Sequence, residues 1–224
     1  MSLTKRLTAV QQGIRAACEQ AGREPESVRL IAVSKVHPTA SIIEARACGQ
    51  LDFGESFAQE LRDKARQLPD VHWHFIGRIQ RNKCKYISPV ATRVHALEQV
   101  AQAEALAARA AGPLKCLMAV NIGEEPQKSG VLPTEVVARA ESLHAVDGIE
   151  LVGLMCLPPQ REDPEDVAPF FEHLAHLAGA CRSHGLPVTE LSMGMSHDYA
   201  VAIRHGATWV RVGTAVFGPR PTTR

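Results

Sequence analysis

The residues able to do chemistry gather near the two ends of the chain. Ser196 sits in a turn, LSMGMS (191–196), and Arg211 stands among apolar residues in TWVRVG (208–213). Gly213-Thr214 then opens a further helix, and Lys35 closes the early apolar run LIAVS. A helix start presents unpaired backbone N–H groups and a positive dipole end, which suits a phosphate. If the last strand alternates, Trp209, Arg211 and Gly213 face one side while Val210 and Val212 face the other. A buried arginine needs acceptors, and either a phosphorylated or aromatic cofactor or a structural carboxylate would supply them. Lys35 shares a strand face with Ile31 and Val33. Partial desolvation and a nearby cation such as Arg211 would favour its neutral amine, the form that makes a Schiff base with an aldehyde. A strand-end lysine reaching solvent is the plain alternative.

These groups need a scaffold that brings both chain ends to one rim. Strand-like and helix-like segments alternate throughout. A leading amphipathic helix covers about 3–21. Strands are expected at 28–35, 51–56, 72–77, 93–97, 115–122, 149–155, 189–191 and 208–213, with helical stretches between them. Ser56 and Gln59 have the spacing of a capping box for the helix after the second strand. The alternation predicts an α/β fold: one TIM-type (β/α)8 barrel domain over residues 1–224 with an extra N-terminal helix. An open doubly wound sheet is the competing architecture. In a barrel, chemistry sits at the C-terminal strand ends and phosphate binds after strands seven and eight, where the Ser196 and Gly213 turns fall.

Bulk properties exclude several classes. The 224 residues carry a formal net charge of +1, which leaves no electrostatic footprint for nucleic acid or an anionic membrane. Aromatics make up 4%, too few for a base-stacking platform. No long uncharged apolar run is present, and the charged N-terminus lacks a signal-peptide core. Cys18, Cys48, Cys84, Cys116, Cys156 and Cys181 are scattered without a CxxC pair, as expected of free thiols in a reducing cytoplasm.

AVSK (32–35), FGESFAQE (53–60), HFIGRIQRNK (74–83), GLMCLPP (153–159), LSMGMS (191–196) and AIRHGATWVRVGTAVFG (202–218) run in order over nearly the whole chain. In these motifs the chain resembles the pyridoxal-phosphate homeostasis protein family, related to the N-terminal barrel of alanine racemases. The resemblance implies a barrel that holds pyridoxal 5′-phosphate (PLP) as a Schiff base on Lys35. It implies that Ser196, Gly213 and Thr214 hold the phosphate and that Arg211 lies against the pyridine nitrogen. Met195, with Met193, would pack around the ring and turn. Ser56 stands where the family usually has Asn after Gly-Glu, so the polar contact of that Asn is in question here.

The arginine also bears on activity. A permanently charged guanidinium beside the pyridine nitrogen discourages protonation there and makes the ring a weak electron sink. Racemases of this fold work in that regime but add a tyrosine acid/base from a separate β-domain across a dimer. This chain ends at Arg224, soon after the last barrel unit, and its tyrosines, Tyr86 and Tyr199, fall in predicted helices. The expectation is therefore a non-catalytic cytoplasmic PLP carrier or buffer, monomeric, with PLP-dependent apoenzymes as candidate partners. A weak amino-acid racemase is the alternative. Two rivals come from other classes. One is a metal hydrolase built on the HxH pair His72 and His74, for which further ligands are missing. The other is a phosphosugar isomerase with Glu55 as base. Lys128, Gln80, Asn82 and Lys83 lie on loops of the active face, where a solvated or helix-starting role is the simpler one. The acidic run 162–166 reads as a helix start.

Overall fold

A computed structural model of the chain describes residues 1–219. The elements run α1 (Leu3–Gln20), β1 (Arg29–Val33), α2 (Thr39–Ala47), β2 (Asp52–Glu55), α3 (Ala58–Gln67), β3 (His72–Phe75), α4 (Cys84–Ile87), β4 (Arg93–Leu97), α5 (Val100–Ala107), β5 (Leu114–Val120), α6 (Val136–His144), β6 (Ile149–Cys156), α7 (Ala168–Ser183), β7 (Glu190–Ser192), α8 (Tyr199–Arg204), β8 (Trp209–Val212) and α9 (Thr214–Phe217). The eight strands form a closed parallel barrel in sequence order, and β8 pairs back onto β1. This is the (β/α)8 barrel with an added N-terminal helix that the alternation predicts; the open sheet is excluded.

Sheet register explains how the two ends of the sequence meet. Ile31 pairs with Arg211 and Ala32 with Val212, so the strand before Lys35 is the direct neighbour of the arginine strand. Helix α1 reinforces this seam. Leu3, Leu7, Val10, Ile14, Ala17 and Cys18 form its buried stripe at helical spacing, and it packs against α2, α8 and α9. The leading helix thus seals the side of the barrel where the strands close.

Apolar packing fills the layer between strands and helices, where Phe53 and Trp73 meet at 6.0 Å between ring centroids. The barrel interior is more polar. Arg93 forms a two-pronged bond to Glu190, at 3.1 Å for each contact, and Trp209 Nε1 donates to Glu190 Oε2 at 2.8 Å. The Arg93 guanidinium also lies 4.9 Å from the centre of the Trp209 ring.

The first strand ends earlier than its composition suggests. Extended pairing stops at Val33, and Lys35 lies in the turn that follows, where His37 N donates to Ser34 O at 3.0 Å. Val36 takes φ +62, a left-handed value that costs a β-branched residue steric energy and breaks the strand. The capping box at Ser56 does not form. Phe57 is the N-cap of α3 with no side-chain cap, and the Ser56 carbonyl lies against Gly77. A Cβ on Gly77 would stand 2.1 Å from the Ser56 carbonyl oxygen, so only glycine tolerates that approach. All six cysteines are free thiols, five of them buried.

Candidate functional site

Four segments converge on the C-terminal rim at the β7–β8–β1 seam: the turn after β7, the end of β8, the Gly213-Thr214 step into α9, and the Lys35 turn. Arg211 is their buried centre, 5% exposed. Its Nη1 donates to Ser192 Oγ at 2.7 Å and its Nη2 to the Cys156 carbonyl at 2.9 Å. Both acceptors are neutral, and two bonds use only part of its five N–H donors. Burial pushes the guanidinium pKa down, opposed by the nearby Asp198 carboxylate and the Cys156 side chain. The Cys156 thiol itself is pushed up to about 12 by burial, so it stays protonated.

The turn after β7 is tied to the arginine strand through the backbone. Arg211 N donates to Gly194 O at 2.9 Å, and Met193 N to Trp209 O at 3.1 Å. Gly194 has φ +92, and a Cβ there would lie 2.6 Å from Ala202 Cβ. Asp198 closes the turn: its Oδ1 accepts from Met195 N at 2.5 Å. Sequence reasoning passed over Asp198, although an aspartate just ahead of a helix is a frequent turn closer. Ser196 is half-buried in this turn, and its hydroxyl makes no hydrogen bond among the described residues. Met193 is fully buried, whereas Met195 is 37% exposed at the rim.

Gly213 is the N-cap of α9, and Thr214, its first residue, is exposed. A Cβ on Gly213 would meet the Val33 carbonyl oxygen at an ordinary contact distance of 3.4 Å, so the step into α9 lies against the end of β1. The helices opening here are short, six residues in α8 and four in α9. Their dipoles are correspondingly weak, so the donors on offer are turn N–H groups rather than helix ends.

Lys35 is half-buried in its turn, and His37 behind it stacks on Phe217 of α9 at 5.1 Å. The lysine turn and the Gly213-Thr214 step are therefore joined. Ser56 is half-buried on the neighbouring rim.

Across the mouth from this seam a cavity of about 230 Å³ opens, with Arg78, Glu98, Asn121, Lys128 and Met155 in its wall. Burial raises the Glu98 carboxyl pKa, and Arg78 partly offsets the rise. Lys128 is no loosely solvated loop residue. Its Nζ donates to the Pro158 carbonyl at 3.0 Å and pairs with Glu125, latching two rim loops together.

The other sequence candidates, Glu55, His72, His74, Tyr86 and Tyr199, lie away from this seam. Glu55 points into the strand–helix layer, fully buried, with Ser34 Oγ at 2.7 Å and Lys64 Nζ at 2.8 Å, out of reach of a substrate at the mouth. Its burial rules out the isomerase base. His72 and His74 both face Asp52 Oδ1, at 3.2 and 3.0 Å, and His74 also meets His95 at 2.9 Å. Among the described residues no group of three or more His, Cys, Asp or Glu could hold a metal ion. Tyr86 lies among Arg62, Lys83 and Lys85, and the Tyr199 hydroxyl abuts Gly13 of α1.

Residues 6–221 match the family model "Alanine racemase, N-terminal domain". The chain is 39% identical to the pyridoxal phosphate homeostasis protein of Aquifex aeolicus, over 98% of this chain and 99% of that one. It is 43% identical to the protein of the same name from Deinococcus radiodurans, over 93% and 98% of the two chains. Among solved structures it is similar to PipY of Synechococcus elongatus with PLP bound, with a TM-score of 0.84 and 33% identity over 97% of this chain and 100% of that one.

Proposed function

We propose, for a chain that belongs to the pyridoxal phosphate homeostasis protein family, that it binds PLP at the β7–β8–β1 rim and acts as an intracellular carrier or buffer of that cofactor. One observation carries this reading. Among the described residues Arg211 is a buried cation bonded only to neutral acceptors, on the strand directly paired with the one that leads into Lys35. A buried cation with donors to spare favours a ligand that brings acceptors.

The donor set fits PLP. The cofactor supplies an aldehyde, an aromatic ring with a nitrogen acceptor, and a phosphate. Lys35 is the residue that would hold the aldehyde end of the cofactor, its amine being the nucleophile that such a group takes. Ser196 Oγ and the backbone N–H groups around Gly213 and Thr214 receive the phosphate. Arg211 would lie toward the ring nitrogen, where its permanent charge would discourage protonation. Met195 and Ser56 border the site.

The arrangement favours holding over turnover. Racemisation needs a second acid/base on the face opposite the lysine. Tyr199 is turned onto α1 and Tyr86 is ringed by cations outside the barrel, so neither tyrosine serves. A carrier needs recipients, and PLP-dependent apoenzymes are the class that uses what it holds.

Purified protein mixed with PLP should develop a visible absorbance band. Borohydride followed by peptide mass analysis should then place the pyridoxyl group on Lys35, and Lys35→Ala should lose both signals. The same band in Lys35→Ala would sink the assignment. Racemisation of alanine by the loaded protein would sink the carrier reading.

A further inference from the structure

The barrel interior contains a continuous hydrogen-bond chain from one end to the other. Asp52 Oδ1 meets His74 Nε2 at 3.0 Å, His74 Nδ1 meets His95 Nε2 at 2.9 Å, and His95 Nδ1 meets Ser192 Oγ at 2.9 Å. Ser192 Oγ in turn accepts from Arg211 Nη1 at 2.7 Å. His74, His95 and Ser192 are fully buried, and Asp52 opens toward the N-terminal end of the barrel. The rings are also packed: His74 lies 5.1 Å from His95 and 4.9 Å from Trp209 between ring centres. The proposed function assigns no task to Asp52, His74, His95 or Ser192.

The direction of every proton in this chain follows from its ends. An ionised carboxylate only accepts, so His74 carries its proton on Nε2. A neutral His74 then accepts at Nδ1, which requires His95 to donate from Nε2. A neutral His95 accepts at Nδ1, so the Ser192 hydroxyl gives its proton there and keeps its lone pairs for the guanidinium. Arginine can only donate, which agrees with this direction from the other end.

We propose that Asp52, His74 and His95 are positioning residues that act through Ser192 to fix the Arg211 guanidinium toward the ring nitrogen of the bound cofactor. This rests on the proposed PLP site. The chain, anchored on the Asp52 carboxylate, sets the Ser192 hydroxyl in one direction and keeps its lone pairs toward the buried arginine. Reversal at any link would turn a proton of Ser192 or His95 against its neighbour, and the cost of a buried mismatch enforces the order. Charged and titratable neighbours agree with two neutral rings. Burial, with His74, Arg211 and Arg93, holds the His95 imidazole well below its usual range; burial, with Arg93 and His72, holds His74 below it against the pull of Asp52; and His74 and His72, against burial, hold the Asp52 carboxyl below its usual range.

Two experiments test the proposal. The first needs no cofactor. In ¹⁵N-histidine-labelled protein, His74 and His95 should each show a neutral ring protonated at Nε2 at neutral pH. A proton on Nδ1 of either ring, or a doubly protonated ring, overturns the proposal whatever the protein binds. The second uses PLP affinity and the position of the visible band. His95→Phe, which breaks the chain, should weaken binding about tenfold and move the band. His95→Gln should restore both, because its carbonyl accepts from Ser192 and its amide donates to His74. Equal defects in the two variants, or none in His95→Phe, would refute the relay. Wild-type protein that fails to bind PLP would instead refute the site on which it rests.

Discussion

The Lys64 ammonium lies 2.8 Å from the carbonyl oxygen of Ser34, and so holds from behind the barrel wall the peptide that leads into Lys35. The same ammonium reaches Glu55 Oε1 at 2.8 Å and Glu60 Oε1 at 2.7 Å. Glu60 Oε1 also accepts from Val36 N at 2.7 Å. Lys35 is thus clamped on both flanks by one buried ionic cluster, which sustains the left-handed Val36. Lys64→Met should destabilise the protein by about 1–3 kcal/mol, because it removes the donor to Ser34, Glu55 and Glu60 and leaves the buried Glu55 carboxyl protonated and short of a partner. Adding Glu55→Gln should recover most of that loss. Urea unfolding of the two variants measures both, and a double variant no more stable than Lys64→Met would contradict the pairing.

Glu55 gives that cluster a pH dependence. Burial raises its carboxyl pKa to about 7 against the pull of Lys64 and Ser34, and Oε2 has no hydrogen-bond partner among the described residues. A carboxyl with a raised folded pKa binds its proton more tightly in the folded state. Its contribution is therefore complete below the unfolded value of 4.5 and is lost as pH rises toward about 7. The slope is at most about 1.4 kcal/mol per pH unit. Stability of wild type relative to Glu55→Gln should fall between pH 5 and 7, and parallel curves across that range would refute the assignment.

The turn after β7 depends on Gly194. Its φ of +92 and the 2.6 Å gap to Ala202 Cβ mean that a methyl group is both strained and overlapping. Gly194→Ala should cost roughly 1–3 kcal/mol. It should also weaken PLP binding, since Gly194 O holds the Arg211 backbone. Thermal melts and PLP titration check the two effects; full affinity in a destabilised variant would separate the turn from the site.

The barrel, and the convergence of the Lys35, Ser196 and Gly213 turns on one rim, were readable from the sequence because they rest on local order. Eight alternations of strand and helix leave few closed arrangements, and period-two alternation already places Arg211 opposite Val210 and Val212. What escaped depends on partners distant in sequence. His95 joins His74 across 21 positions and Ser192 across 97, and no spacing rule connects them. The early end of β1 escaped because a valine at positive φ has no composition signal; it is imposed by Glu60 on a later helix. The Ser56 box misled because its spacing is correct while the backbone is committed to Gly77.

Helix α1 should matter to the site although it never approaches the mouth. Arg6 Nε donates to Val216 O at 2.9 Å and Arg6 Nη2 to Phe217 O at 3.1 Å. These bonds satisfy carbonyls at the end of α9, a helix too short to hold itself together. Phe217 in turn supports His37, two residues from Lys35. Loss of the Arg6 fork should loosen α9 at one end and the lysine turn at the other. Arg6→Met keeps the alkyl stem and removes the donors, so packing against α9 is largely spared. It should cost about 1–3 kcal/mol, and amide exchange should quicken in α9 and in residues 34–37 more than in β4 or β5. Uniform quickening across the barrel would mean that Arg6 stabilises the fold globally and does not couple α1 to the site.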